Sequence, residues 1–283
     1  MVMMMKNEKY LGYTFLDRLS KLSCMGLMMV FVVTASSFAQ EDERPARFFT
    51  VEFMSVDDTE NSNYMQVESF WKEIHQARVA NGDIMGWDLF SLTPGGTNQG
   101  YQYMTVTHFA DPVTMMTGGN FWAAVEEAYQ DLPEEEFNRM WEMTASSRDI
   151  GERYHMRELD SVMSEDMAPA PGMIMFVDFM KVQPDDYQDY VRAEMDLFRQ
   201  RHATQIEAGG KEFWSLSSVM VPWGSGVETT HITANAFKNW DQVFNSGVSI
   251  PEPDEEMQAN MQQALELRDL HKVYVATLVD IVR

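Results

Sequence analysis

Two acidic residues sit at the centres of two closely similar hexapeptides. Val51-Glu52-Phe53-Met54-Ser55-Val56 returns 126 residues later as Val177-Asp178-Phe179-Met180-Lys181-Val182. Each hexapeptide reads as a β-strand with a carboxylate in its middle. Carboxylates gathered in a dry space disfavour one another's charge, which raises at least one pKa toward the range of a general acid or base. The plainer alternative is a carboxylate paired with an arginine such as Arg157, or one at the rim of its sheet. His75 and His202 recur late in matching helical segments. Each could carry protons or ligate a metal, and each could equally stabilise the C-terminal end of its helix. A third set alternates along two matching strands: Tyr103, Thr105 and Thr107, then His231, Thr233 and Asn235. Their apolar neighbours Met104, Val106, Ile232 and Ala234 are expected to face helices. The polar set is then expected to line the space between two sheets. Tyr103, Thr105, His231, Thr233 and Asn235 become the candidate ligand-binding wall, with a hydrogen-bonded polar interior as the alternative.

Other chemistries find no support. The sequence holds no His-x-x-x-His or His-Glu-x-x-His pair, phosphate-binding Gly-rich loop, Gly-x-Ser-x-Gly elbow or calcium loop. Cys24 is its one cysteine, which leaves no disulfide and no thiolate metal centre. No metal site is expected. The acidic runs Glu134–Glu136 and Asp254–Glu256 read as helix starts, where carboxylates meet the positive end of the dipole.

The elements that must position these residues follow from periodicity. The first half reads as a strand at Phe48–Val56, a helix at about Tyr64–Ala80 and strands at Ile84–Leu92 and Tyr101–Phe109. A long helical stretch from Pro112 to about Ile150, interrupted by Gly118-Gly119 and by Leu132-Pro133, and a strand near Arg153–Val162 complete it. The second half repeats the order: Met173–Val182, a helix Asp185–Ala208, strands Glu212–Val221 and Val227–Phe237, helical segments near Asn239–Phe244 and Asp254–Leu270, then Lys272–Val282. Residue matches run throughout. His75, Gly82, Trp87, Leu89 and Ser91 correspond to His202, Gly209, Trp214, Leu216 and Ser218, and Arg148 and Tyr154 correspond to Arg268 and Tyr274. A recurring order with small drifts in offset marks a duplication. Each half is β-α-β-β-α-β, the ferredoxin-like order. Its open sheet face needs a partner, and the other half supplies one. The expected fold is α+β: two such repeats, 47–163 and 173–283, packed sheet to sheet across a linker at 164–172.

Composition bounds the setting. At 45% apolar and 12% aromatic residues a sizeable core can form. Lys6, Lys9, Arg18 and Lys21 precede an apolar run, Cys24–Phe38, and Ser37-Phe38-Ala39 gives a small-x-small cleavage pattern. The run falls short of the ~20 residues a spanning helix needs. A signal peptide over 1–39 is expected, cleaved near Ala39-Gln40, then a polar lead-in at 40–46 and a periplasmic or secreted product with no stable membrane span. Residues 1–39 hold four Lys/Arg and two Asp/Glu, so 17 of the 21 basic and 42 of the 44 acidic residues remain, a formal charge of −25. That charge argues against nucleic acid as a partner. Because the two halves satisfy each other, a monomer with an internal pseudo-dimer is expected.

Trp71-x-x-x-His75, Gly82, Gly86-Trp87-x-Leu89, Pro94-x-Gly96 and Tyr101-x-Tyr103-x-Thr105-Val106 carry a resemblance. The chain resembles the dimeric α/β-barrel superfamily in its fused two-repeat form, and within it uncharacterised exported bacterial proteins. The second half keeps the pattern in part: Phe198 stands for Trp71, and the tyrosine pair is absent. The resemblance implies an intrachain dimeric α/β barrel. It leaves activity open, since the superfamily includes cofactor-free monooxygenases, haem enzymes such as the chlorite dismutase group, and members of no known activity. Three readings follow: an exported barrel that binds a small molecule between its sheets, a monooxygenase-like or haem-dependent enzyme using Glu52, Asp178, His75 or His202, and a structural or interaction module.

Overall fold

The two hexapeptides open two four-stranded sheets, and those sheets join edge to edge. The computed structural model describes residues 46–283 apart from Gly96 and Ser249. The expected signal segment 1–39 and nearly all of the lead-in lie outside the described residues. In chain order the first repeat is β1 (Phe48–Ser55), α1 (Asn61–Ala80), β2 (Gly86–Thr93), β3 (Tyr103–Phe109), α2 (Pro112–Thr117), α3 (Phe121–Tyr129), α4 (Glu134–Ser146) and β4 (Asp149–Met163). The second is β5 (Ile174–Val182), α5 (Tyr187–Ala193), a π turn (Glu194–Phe198), α6 (Arg199–Glu207), β6 (Phe213–Val221), β7 (His231–Phe237), α7 (Trp240–Asn245), α8 (Glu255–Glu266) and β8 (Arg268–Val282).

The helical stretch from Pro112 is broken into three helices at the two expected interruptions, Gly118-Gly119 and Leu132-Pro133. The Asp111 carboxylate caps α2 by accepting from the Val113 and Thr114 amides. Gly118, at φ 82°, ends α2 in the left-handed region where a side chain would be strained. Pro133 precedes α4, whose first turn carries Glu134, Glu135 and Glu136. The π turn also has a sequence signature. Tyr64 and Glu68 match Tyr190 and Glu194 at an offset of 126, whereas His75 and Gly82 match His202 and Gly209 at 127. A π turn holds one extra residue, and it lies between those two sets.

The strands close in the order β1-β3-β2-β8-β5-β7-β6-β4. Each repeat contributes an antiparallel four-stranded unit, β4-β1-β3-β2 or β8-β5-β7-β6. Closure comes from the 15-residue strands β4 and β8. β4 pairs with β1 through its first part and with β6 through its second, and β8 likewise serves β5 and β2. A closed barrel leaves no free strand edge. Among the described residues no helix is long and apolar enough to cross a membrane.

The barrel interior is apolar. Val51 and Phe53 meet Val177 and Phe179 there, with Met104, Ile232, Tyr154 and Tyr274. This reverses the expected orientation of the polar strand residues. Met104, Val106, Ile232 and Ala234 face the space between the sheets, while Glu52, Asp178, Thr105, Thr233 and Asn235 lie beneath the helices, on the outside of the barrel. The reason is that the helices present polar side chains to the sheet, so the barrel interior takes the more apolar of the two strand faces.

Candidate functional site

On α1, Tyr64, Glu68, Trp71, His75 and Arg78 follow the spacing i, i+4, i+7, i+11, i+14, which places them on one stripe. That stripe faces the sheet. Below it β1 presents Thr50 and Glu52, β2 Trp87, β3 Thr105 and Thr107, and β4 Arg153 and His155. Arg148, just past α4, closes one side. A cavity of about 550 Å³ lies between these groups.

Its polar walls are ordered by ion pairs. Arg153 Nε donates to Glu52 Oε1 at 2.6 Å, so the cross-strand arginine beside Glu52 is Arg153 and not Arg157. The Arg148 guanidinium donates to Glu68 Oε1 and lies 5.9 Å from the centroids of both Tyr64 and Trp71. Thr50 Oγ1 and His155 Nδ1 are 3.0 Å apart. Glu68 is only 3% exposed, and burial pushes its carboxyl up to about 7 against the pull of Arg148. The His75 ring stacks on Trp87 with centroids 5.1 Å apart and neighbours Trp71 at 6.0 Å. Burial, then the charges of Arg78 and Arg148, lower His75 to about 3. It is therefore a neutral ring and neither caps its helix nor binds a loop. Arg78 is buried and makes no carboxylate ion pair among the described residues. Its Nε has no acceptor, and one terminal nitrogen donates a long 3.5 Å bond to the Gly118 carbonyl.

The second repeat carries the same stripe in Tyr190, Glu194, Phe198 and His202, but a lysine occupies the middle of the layer. Lys211 Nζ donates to Asn235 Oδ1 at 2.6 Å and lies 2.5 Å from His202 Nδ1. Asp178 accepts from Thr233 at 3.0 Å and Asn235 at 3.2 Å. His202 stacks on Trp214 at 5.0 Å, as His75 does on Trp87. Burial raises Glu194 to about 7 and lowers Lys211 to about 7. At the offset of 127 that matches His75 to His202, the residue corresponding to Lys211 is Ile84.

The candidates thus fall into two separate groups. Glu52, His75 and Thr105 share the first-repeat cavity. Asp178, His202, Thr233 and Asn235 share the second-repeat network. Glu52 and Asp178 underlie different helices and form no carboxylate pair. Tyr103 lies at the margin, donating to Asn61 Oδ1 at 2.5 Å, and His231 packs against the Tyr187 and Tyr190 rings. Sequence reasoning missed Glu68, Glu194, Arg153 and Lys211. The first two were findable, because the hexapeptide offset of 126 continues into the helix through Tyr64/Tyr190 and Glu68/Glu194.

The helix histidines do not fit haem ligation. A metal-bound imidazole normally donates its other N–H to an acceptor, but His75 Nδ1 is buried without a partner and Trp87 covers a face of the ring. His202 Nδ1 is engaged by Lys211, and Trp214 stacks on a face of the ring. Among the described residues no group of three His, Cys, Asp or Glu could hold a metal ion.

A closed antiparallel barrel made of two ferredoxin-like repeats, with a polar layer under each helix, defines the class: the chain has the dimeric α/β-barrel fold in fused two-repeat form. A Fusobacterium nucleatum protein provisionally described as a monooxygenase superposes with a TM-score of 0.54 at 8% identity, over 84% of this chain and 94% of that one. An anthrone oxidase-like protein gives 0.50 at 11% identity, over 85% and 94%. A chlorite dismutase variant from Candidatus Nitrospira defluvii gives 0.49 at 10% identity, over 83% and 92%. No sequence-family pattern matches the chain, and no curated protein matches it.

Proposed function

We propose that this chain is exported, acts as a monomer and binds a small planar aromatic molecule bearing an acidic oxygen. The site is the first-repeat cavity between α1 and the sheet, in place of the expected site between the sheets. Arg78 carries this reading. Its buried guanidinium feels the Asp83 charge but among the described residues has no carboxylate in hydrogen-bond contact and an Nε with no acceptor, which calls for an anionic or strongly accepting oxygen. Arg148 and Arg153 each have a carboxylate in contact, whereas Arg78 has none. Trp71, Trp87 and Phe109 supply ring faces, and the volume suits a ligand of two or three fused rings.

Glu68 gives the site acid–base capacity. Near pH 7 it is divided between carboxyl and carboxylate, so it can take the proton of a bound phenolic hydroxyl as Arg78 holds the resulting oxyanion. Two solved structures that superpose at 0.50 and above are described as monooxygenase and anthrone oxidase-like proteins. They favour a second reading, in which the deprotonated aromatic reacts with molecular oxygen without a cofactor.

Quenching of tryptophan fluorescence in the exported protein by hydroxylated naphthalenes and anthrones tests binding. Saturable quenching by one molecule per chain, abolished by Thr105→Phe at the cavity floor, is expected. No quenching across the series, or quenching indifferent to Thr105→Phe in a variant that keeps its circular dichroism, overturns the proposal. Oxygen uptake by the complex without added cofactor is the readout for the second reading.

A further inference from the structure

The barrel interior holds a second and chemically opposite space. A cavity of about 130 Å³ lies inside the barrel against Val51, Met104, Val106, Val177, Ile232 and Ala234. A larger one of about 310 Å³ lies at one end, against Met163, Met167, Met173 and Leu278. The two share Arg47, Asp88, Phe90, His108, Met175 and Phe213 in their walls, so they meet as one channel from the barrel end to its centre. Glu158, which accepts from Ser161 Oγ at 3.2 Å, and Ser215 and Ser217 are the polar groups of the inner wall below the rim; the rest is hydrocarbon, thioether and aromatic. Methionine side chains bend to follow a flexible occupant, and they dominate the outer part.

The rim is polar and unequal. Asp88 is occupied: His108 Nε2 lies 2.7 Å from its Oδ2 and Arg283 Nη2 lies 2.7 Å from its Oδ1. Arg47 lines both parts of the channel and makes no ion pair among the described residues. An apolar bore with one uncommitted guanidinium at its mouth matches one ligand form, a chain of methylenes ending in an anion. Close-packed interiors hold few voids larger than a water molecule, and an apolar one stays dry and open to apolar guests.

We propose that the barrel channel binds an unbranched medium-chain carboxylate, with its tail among Met104, Val177 and Ile232 and its carboxylate on Arg47. This site is distinct from the first-repeat cavity, and its occupant has no aromatic ring to stack.

Isothermal titration of the exported protein with decanoate and with decanol tests it. Decanoate is expected to bind once per chain. Arg47→Ala should weaken decanoate about tenfold, the equivalent of about 1.4 kcal/mol, and leave decanol unchanged. Ala234→Leu, which extends a side chain into the inner cavity, should weaken both ligands. Because Arg47 sits at the rim, its removal leaves the core intact if Ala234→Leu fails to fold. Absence of decanoate binding, or an equal loss of decanoate and decanol on Arg47→Ala, overturns the proposal.

Discussion

The ring of Phe53, from the first repeat, lies 5.5 Å from the ring of Phe179, from the second, in the middle of the barrel. Both are fully buried, and Tyr274 completes the group at 5.6 Å from Phe53 and 5.7 Å from Phe179. The duplicated hexapeptides therefore touch each other, and their phenylalanines join the two halves. Replacing either by alanine should cost about 3–5 kcal/mol in urea unfolding. The double replacement should depart from additivity by about 0.5–1.5 kcal/mol, the range for a contacting aromatic pair. Strict additivity would mean that the halves are not coupled through this contact.

The same contact fixes where the neighbouring acids point, and Glu68 above Glu52 then has a measurable pH signature. Its folded pKa of about 7 lies above the usual 4.5, so the folded state holds the proton more tightly than the unfolded chain. Its contribution to stability is fully present below about pH 4.5 and is lost as pH rises through 7. Wild type should lose about 3 kcal/mol more than Glu68→Gln between those limits, at about 1.4 kcal/mol per unit. Urea midpoints of the two proteins at pH 5 and pH 7.5 measure the difference, in which the other titrating groups cancel. Parallel curves would place Glu68 in water.

His75 should behave in the opposite sense to an exposed imidazole. With burial lowering it to about 3, its ring nitrogens should show neutral-imidazole shifts in nitrogen-15 spectra from pH 8 down to pH 5. The unfolded chain protonates this ring near 6.5, so burial of neutral His75 makes the fold less stable as pH falls below that value. A titration midpoint near 6.5 in the folded protein would show that the Trp71 and Trp87 rings do not exclude water.

The duplication, the order of elements and the barrel were legible because the hexapeptides, the paired glycines and the matched tryptophans recur in sequence order. Alternation also sorted Glu52 from Phe53 and Thr105 from Met104 correctly into opposite faces. What it could not supply was which face turns inward, since Phe53 and Met104 on one face and Thr105 and Thr107 on the other are all buried. The deciding information lay in α1. Its Tyr64, Glu68, Trp71, His75 and Arg78 stripe is polar enough to require a polar sheet face beneath it, which leaves Phe53, Met104 and Ile232 for the barrel. Lys211 was harder to find. It follows Gly209-Gly210 at the turn into β6, and only the closed structure shows a lysine there directed at His202 and Asn235.

Lys211 is also the residue by which the second repeat differs most from the first. Its ammonium is buried, and burial brings its pKa from 10.5 down to about 7, with Asp178 pulling the other way. Lys211→Met keeps the length of the side chain and removes the donor. It leaves Asn235 Oδ1 and His202 Nδ1 without their partner, which should cost about 1–3 kcal/mol. That cost should grow with pH. Between about 7 and 10.5 the folded lysine is neutral while the unfolded one is charged, so the unfolded state binds more protons and wild-type stability rises with pH. The variant lacks this rise. The gap between the two urea midpoints should therefore be wider at pH 9.5 than at pH 7, with the tyrosine titrations common to both proteins. A gap that does not change with pH would mean that Lys211 stays charged in the fold, held as an ammonium by Asp178 through Asn235.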